Sequence, residues 1–163
     1  MRILGAFVVL SMACGSAKPP EAKATPDDSG ESGLETPDTR CFAIARGTRE
    51  RKSNEPPKIT AKHILVKYAG AKNASGDIKR TQGAACLRAL EARKQLQGGE
   101  PFADVVKEYS DEPGAATREG SVGQITRKDV VPAFADAAFE LGPNEVSHVV
   151  ETEFGYHIIM RVE

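Results

Sequence analysis

Tryptophan is absent from this sequence of 163 residues, and cysteine occurs only three times. Without tryptophan, the chain cannot be one of the small modules that dock peptides on a tryptophan face. Cys14, Cys41 and Cys86 show no CxxC spacing, which excludes a thioredoxin-like redox pair and a zinc ribbon. Neither sign of charge is in excess. The chain has 22 basic and 23 acidic residues, whereas a nucleic-acid binder would usually carry a basic surplus. No apolar run approaches the roughly 18–20 residues needed to cross a bilayer. The length suits one domain of about 100–150 residues with additional segments at its ends.

Residues 1–13 have the pattern of an export signal: Arg2, then a short apolar stretch over 3–12, with small residues Ala13, Gly15 and Ser16 around Cys14. The run Leu10-Ser11-Met12-Ala13-Cys14 is similar to a bacterial lipoprotein box, although Ser11 stands where leucine is commoner. Cys14 is therefore the lipidation candidate. The expected location is the bacterial cell envelope, anchored by lipid in the periplasm or on the outer membrane. Residues 14–58 are expected to be a disordered tether, because Pro19, Pro20, Pro26, Pro37, Pro56 and Pro57 fall there with few large apolar side chains. Its only apolar island, Cys41-Phe42-Ala43-Ile44, is a candidate to dock on the domain that follows. Cys41 and Cys86 have two readings: a bridge from tether to domain, or a buried free thiol at Cys86.

The globular domain is expected over 59–163. Residues 59–68 alternate with apolar groups on both faces, as in a strand central to its sheet. A helix over 81–97 carries Ala85, Ala89, Ala92 and Leu96 on one side and stops at Gly98-Gly99. Pro101 opens a second helix bearing Phe102, Val105, Val106 and Tyr109. Residues 110–119 predict a loop with one helical turn, and 120–125 a short strand or bulge. Pro132 opens a further helix with Phe134, Ala138 and Leu141, closed by Gly142-Pro143. Strands over 145–152 and 156–162 finish the chain around Glu153-Phe154-Gly155. The order β-α-α-α-β-α-β-β makes the fold α+β with an antiparallel sheet.

Three segments, Lys62-His63-Ile64-Leu65-Val66, Tyr109-Ser110-Asp111-Glu112-Pro113-Gly114 and Phe154-Gly155-Tyr156-His157-Ile158-Ile159, resemble the parvulin, or rotamase, family of peptidyl-prolyl cis–trans isomerases. Gly120-Ser121-Val122-Gly123, the stretch from Val131 to Phe139, and the stretch from Gly142 to Ser147 match in order and spacing as well. The resemblance covers effectively the whole domain. It implies a four-stranded antiparallel half-barrel sheet flanked by helices, and rotation about the peptide bond before proline without any cofactor. The implied partners are proline-containing segments of unfolded or flexible proteins. No nucleic acid is expected, and contact with the membrane is expected only through the lipid on a monomeric chain. A second reading keeps the groove but not the turnover: a peptide-binding chaperone of the cell envelope.

The resemblance also assigns candidate residues. Val122, Val130, Val131 and Phe134 are candidates for an apolar cup around the proline ring, with Phe154 nearby. Val130 stands where the family usually places Met or Leu, and Phe134 also fits an ordinary core position. His63 and His157 are expected to pair in the middle of the sheet with Thr152 as the tuning hydroxyl, either as catalysts or as shapers of the groove. Glu112 stands where family members carry Cys or Asp. Its alternatives are a hydrogen bond near His63 or a solvated loop acid. Lys67 and Lys72 are either solvated or charge partners for an acidic residue before proline. A metal site from His63, His148 and His157 lacks a completing ligand, so none is expected.

Overall fold

The computed structural model describes residues 36–163. The expected export signal, Cys14 and the start of the expected tether lie outside the described residues. In chain order the elements are α1 (Pro37–Ala45), β1 (Ile59–Val66), α2 (Gln82–Gln97), α3 (Phe102–Tyr109), β2 (Ser121–Ile125), α4 (Pro132–Glu140), β3 (Val150–Thr152) and β4 (Gly155–Arg161). The four strands form one antiparallel sheet in the order β2-β1-β4-β3.

β1 and β4 are the inner strands, and both of their faces are covered. Ile64, Val66, Tyr156 and Ile158 point into a core shared with α1, α2 and α3. Ile59, Ala61 and Ile159 point to the other side, into a core built on α4 through Phe134, Ala137, Ala138 and Phe139. The register places His63 opposite Ile159 and Leu65 opposite His157, so the two histidines share the α4 face on neighbouring strands. Gly120 passes close behind them with φ +73°. Its carbonyl accepts the His63 N–H, and a Cβ there would lie 2.5 Å from the His63 carbonyl oxygen.

α2 begins at Thr81, whose hydroxyl accepts from the Ala84 N–H. Its buried side chains, Ala85, Cys86, Ala89 and Ala92, are small enough for a neighbouring helix to approach closely. That neighbour is α1, which corrects the expectation of a tether running to residue 58. Thr36 caps α1, Pro37 occupies its first turn, and Cys41 is disulfide-bonded to Cys86 with Cα atoms 6.0 Å apart. After α1 the chain continues as a strap. Arg46 pairs with Glu151, Arg49 with Glu140 and Glu55 with Arg127.

Two local departures have physical causes. The expected helical turn between α3 and β2 is a run of turns over 113–120, broken by the positive φ values of Gly114, Glu119 and Gly120. The expected strand over 145–152 is reduced to Val150–Thr152 plus an isolated bridge between Val146 and Met160. Between these, the Ser147 hydroxyl accepts the Ile159 N–H in place of a backbone carbonyl, which interrupts the ladder.

Candidate active site

The loop after α3 is stitched onto the end of β1. The Asp111 N–H donates to the Leu65 carbonyl at 2.7 Å, and the Lys67 N–H donates to the Asp111 carboxylate at 2.8 Å. The Ser110 hydroxyl accepts from the Leu65 N–H at 3.3 Å. This pairing directs the next side chain, Glu112, back over the sheet toward His63.

A chain of four side chains results. Thr152 Oγ1 lies 2.8 Å from His157 Nε2, His157 Nδ1 lies 3.2 Å from His63 Nδ1, and His63 Nε2 lies 2.8 Å from Glu112 Oε2. The His63 bond holds the Glu112 carboxyl below the ordinary carboxylate range against the opposing effect of burial, and Arg118 adds to the lowering. An ionised carboxylate only accepts, so the proton between it and His63 sits on Nε2. With a single proton on each ring, His63 Nδ1 accepts from His157 Nδ1–H, and His157 Nε2 accepts from the Thr152 hydroxyl. Burial, then the neighbouring His63, pushes His157 down to about 3 and keeps it uncharged. In that arrangement donation runs one way, from Thr152 through both imidazoles to Glu112. Both imidazole N–H groups are used within the chain.

Arg118 has no counterpart in the sequence reading. Its Nε and Nη1 donate to the carbonyls of Ser121 and Pro113, both at 3.1 Å, while Nη2 pairs with Glu112. Because the folded-state Glu112 carboxyl is depressed, its interactions stabilise the fold above the ordinary value near 4.5 and are lost as pH falls through the lower folded value. The melting temperature of the wild type is expected to exceed that of Glu112→Gln by a few degrees at pH 7. That gap should narrow as pH falls below 4.5 and close below the folded-state value of Glu112. A gap independent of pH would show that the charge contributes nothing.

Phe134 closes one side of the site. Its ring meets both imidazoles edge-on, with centroids 5.6 Å from His63 and 5.4 Å from His157. Around this floor opens a cavity of about 760 Å³. Leu65, Pro113, Val122, Val130, Val131, Phe134 and Phe154 supply its apolar wall; Glu112, Lys67, Asn73, Lys128 and Asp129 supply polar groups at its margin. Thr152 stands behind His157 and does not line it.

The fold thus brings His63, His157, Glu112, Val122, Val130, Val131, Phe134, Phe154 and Lys67 to one cavity. Among the residues expected to touch the substrate, Lys72 is the exception. Its ammonium pairs with Glu153 at 2.9 Å and lies over the Phe154 ring, outside the cavity lining, because the Lys72 N–H is tied to the Glu153 carbonyl. Lys67 remains, only 6% exposed, with its ammonium donating to the Asn73 carbonyl and no carboxylate partner among the described residues. His148 faces a separate cavity beside Ile44 and Arg49. Leu65 was legible from its place two residues along from His63. Pro113 lies within the family-like segment Tyr109–Gly114, whereas Asn73, Lys128 and Asp129 carry no sequence signal beyond being in loops.

Residues 63–163 match the Rotamase family model, described as a PPIC-type PPIASE domain. The chain is 39% identical over 111 residues to the Foldase protein PrsA of Geobacillus kaustophilus, covering 68% of this chain and 34% of that protein. It is 36% identical over 114 residues to the Peptidyl-prolyl cis-trans isomerase pin1 of Schizosaccharomyces pombe, covering 67% of this chain and 65% of that one. The solution structure of NmPin, the parvuline of Nitrosopumilus maritimus, matches with a TM-score of 0.51 and 36% identity over 66% of this chain and 98% of that one. The chain spans about a third of the length of the PrsA relatives it matches. The family model takes in the second half of β1, the other three strands, the histidine pair, Glu112 and the cup alike, and the chain belongs to the PPIC-type rotamase, or parvulin, family.

Proposed function

We propose that this chain is a peptidyl-prolyl cis–trans isomerase for exported polypeptides, favouring Glu or Asp before proline. The observation that carries this reading is the apolar cup of Phe134 and valines set directly on a hydrogen-bonded histidine floor. The amide barrier is about 18–20 kcal/mol, and uncatalysed isomerisation takes tens to hundreds of seconds. A rate gain of about 10⁴ needs only some 5–6 kcal/mol of preferential binding to the twisted state.

Twisting removes amide resonance. Charge on the carbonyl oxygen falls and the nitrogen becomes pyramidal, so the twisted bond is less polar than the planar one. A water-poor wall of Val122, Val130, Val131, Phe134 and Phe154 favours that change. The imidazole N–H groups are spent on one another and on Glu112, which makes His63, His157 and Thr152 positioning residues that keep the floor rigid. Glu112 is engaged by His63 and Arg118, so the carboxylate is an acceptor and not a nucleophile. No bond is made or broken, and the reaction calls for no cofactor.

Lys67 is the cation for an acidic side chain before proline, since it reaches the cavity without a carboxylate of its own. Export is supported by the signal-like residues 1–13, with Cys14 as the lipid anchor, and by the Cys41–Cys86 bridge, which suits an oxidising compartment. A peptide-binding chaperone is the second reading, favoured by Glu112 standing where the family carries Cys or Asp.

A protease-coupled assay with Ala-Pro, Glu-Pro and phosphoserine-Pro peptides tests both. We expect acceleration of all three, with Glu-Pro turned over about fivefold faster than Ala-Pro, the value of an ion pair near 1 kcal/mol. Lys67→Gln should equalise the Glu-Pro and Ala-Pro peptides. Equal rates for Glu-Pro and Ala-Pro in the wild type would end the acidic preference. No acceleration by folded protein would leave the chaperone.

A further inference from the structure

Residues 126–131 join β2 to α4 and carry Val130 and Val131, one lip of the cup. Little within this short segment holds it in place. Thr126 and Asp129 close a single turn, with the Thr126 N–H and hydroxyl both donating to the Asp129 carboxylate. Lys128 and Asp129 are exposed, and α4 starts at Val131 with no side-chain cap. The fixed point is Arg127. Its guanidinium lies over the Phe139 ring and donates through Nη1 to Asp136 on α4 at 2.6 Å.

The other two donors leave the domain matched by the family. Arg127 Nε and Nη2 each donate at 2.7 Å to the two oxygens of Glu55, a forked pair in which the side chains are 18% and 12% exposed. Such a pair is more directional and less screened than an ordinary surface contact. Glu55 sits on the strap, eight residues before the family match begins at residue 63. The strap is itself held: Arg49 pairs with Glu140 at the end of α4, and the Glu55 carboxylate accepts from the Lys52 N–H. Directly after Glu55 come Pro56-Pro57, which stiffen the entry into β1, the strand that carries His63.

We propose that Glu55, acting through Arg127, is a positioning residue that sets the lip of Val130 and Val131 against Phe134. One carboxylate outside the family match thus joins the strand bearing His63 to the loop that closes over the proline ring. The proposal rests on the isomerase reading, because its readout is turnover. A lip displaced by less than an ångström grips the twisted ring less well, whatever residue precedes proline. Loss of the anchor therefore lowers turnover of Ala-Pro and Glu-Pro peptides alike, unlike loss of Lys67.

The test uses the full chain and the variants Glu55→Gln, Glu55→Asp and Arg127→Lys, assayed at 10 °C with thermal melts run in parallel. Arg127→Lys keeps the charge but cannot fork to two carboxylates. We expect Glu55→Gln and Arg127→Lys to lose about tenfold in kcat/KM on both peptides, and Glu55→Asp to lose less. Lowered melting temperature with unchanged kcat/KM would overturn the proposal and make the strap a brace for stability alone, as would no change in either. Should Glu55→Gln fail to fold, Glu55→Asp and Arg127→Lys carry the same comparison. An inactive wild type would instead remove the isomerase reading, so the two failures are distinct.

Discussion

Replacing Phe134 with alanine is expected to lower kcat/KM on Xaa-Pro peptides by about a hundredfold or more, equivalent to about 2.7 kcal/mol of lost transition-state binding. The ring is the wall's one aromatic group that meets both imidazoles of the floor edge-on. Its removal admits water to the surface that the twisted bond needs dry, and it frees both histidine rings to turn. The same side chain is only 3% exposed and belongs to the α4 core, so the variant also loses about 3–5 kcal/mol of stability. Phe134→Leu separates these effects. Leucine refills much of the volume, so stability should recover by more than half, while activity stays about tenfold down because the flat edge against the imidazoles is gone. A thermal melt establishes that each variant is folded at the assay temperature. Full activity in a folded Phe134→Leu variant would reduce the ring to filler.

The second large effect concerns the bridge. Cys41 and Cys86 are 45 residues apart, and closing a loop of that length removes about 4 kcal/mol of unfolded-chain entropy in the simplest treatment. Besides the bridge, α1 is held by the buried Cys41 and Ala45 and by Phe42, whose ring stacks on Tyr156. Replacing both cysteines by serine, or reducing the bridge, should lower the melting temperature by about 10 °C or more. Helical signal should be lost first from residues 37–45. Turnover at 10 °C should change by less than about twofold, since the ion pairs of residues 46–55 reach the sheet and α4 independently of α1. An unaltered melting temperature on reduction would show that the bridge adds no stability.

Much of the fold was legible because its signals are local and periodic. The two-sided alternation of residues 59–68 announced an inner strand, and small side chains at helical spacing announced α2. α1 was not legible. Its first four residues are Pro, Asp, Thr and Arg, its apolar run is only five residues long, and what pins it is a covalent bond to a partner 45 positions away. The shortening of β3 depends on one hydroxyl of Ser147 substituting for a carbonyl, an event that no pattern of hydrophobicity encodes. In the site, family resemblance pointed to His63, His157, Thr152, Glu112 and Phe134, and the fold places them in mutual contact or in series. Lys72 was misplaced because its loop folds back onto Glu153. Arg118 and Glu55 escaped because each acts on the cavity through another residue, over separations of 6 and 72 positions. Charged residues in loops look alike in a sequence until a partner selects one.

The position of the bridge also has a mechanical consequence. Cys41 lies upstream of the strap, and the strap lies upstream of the strand bearing His63. A pull applied on the amino side of residue 36 is therefore taken up by α2 through Cys86, like the load on a cord knotted behind its socket. Glu55 and the catalytic face beyond it stay slack whatever the chain is fastened to.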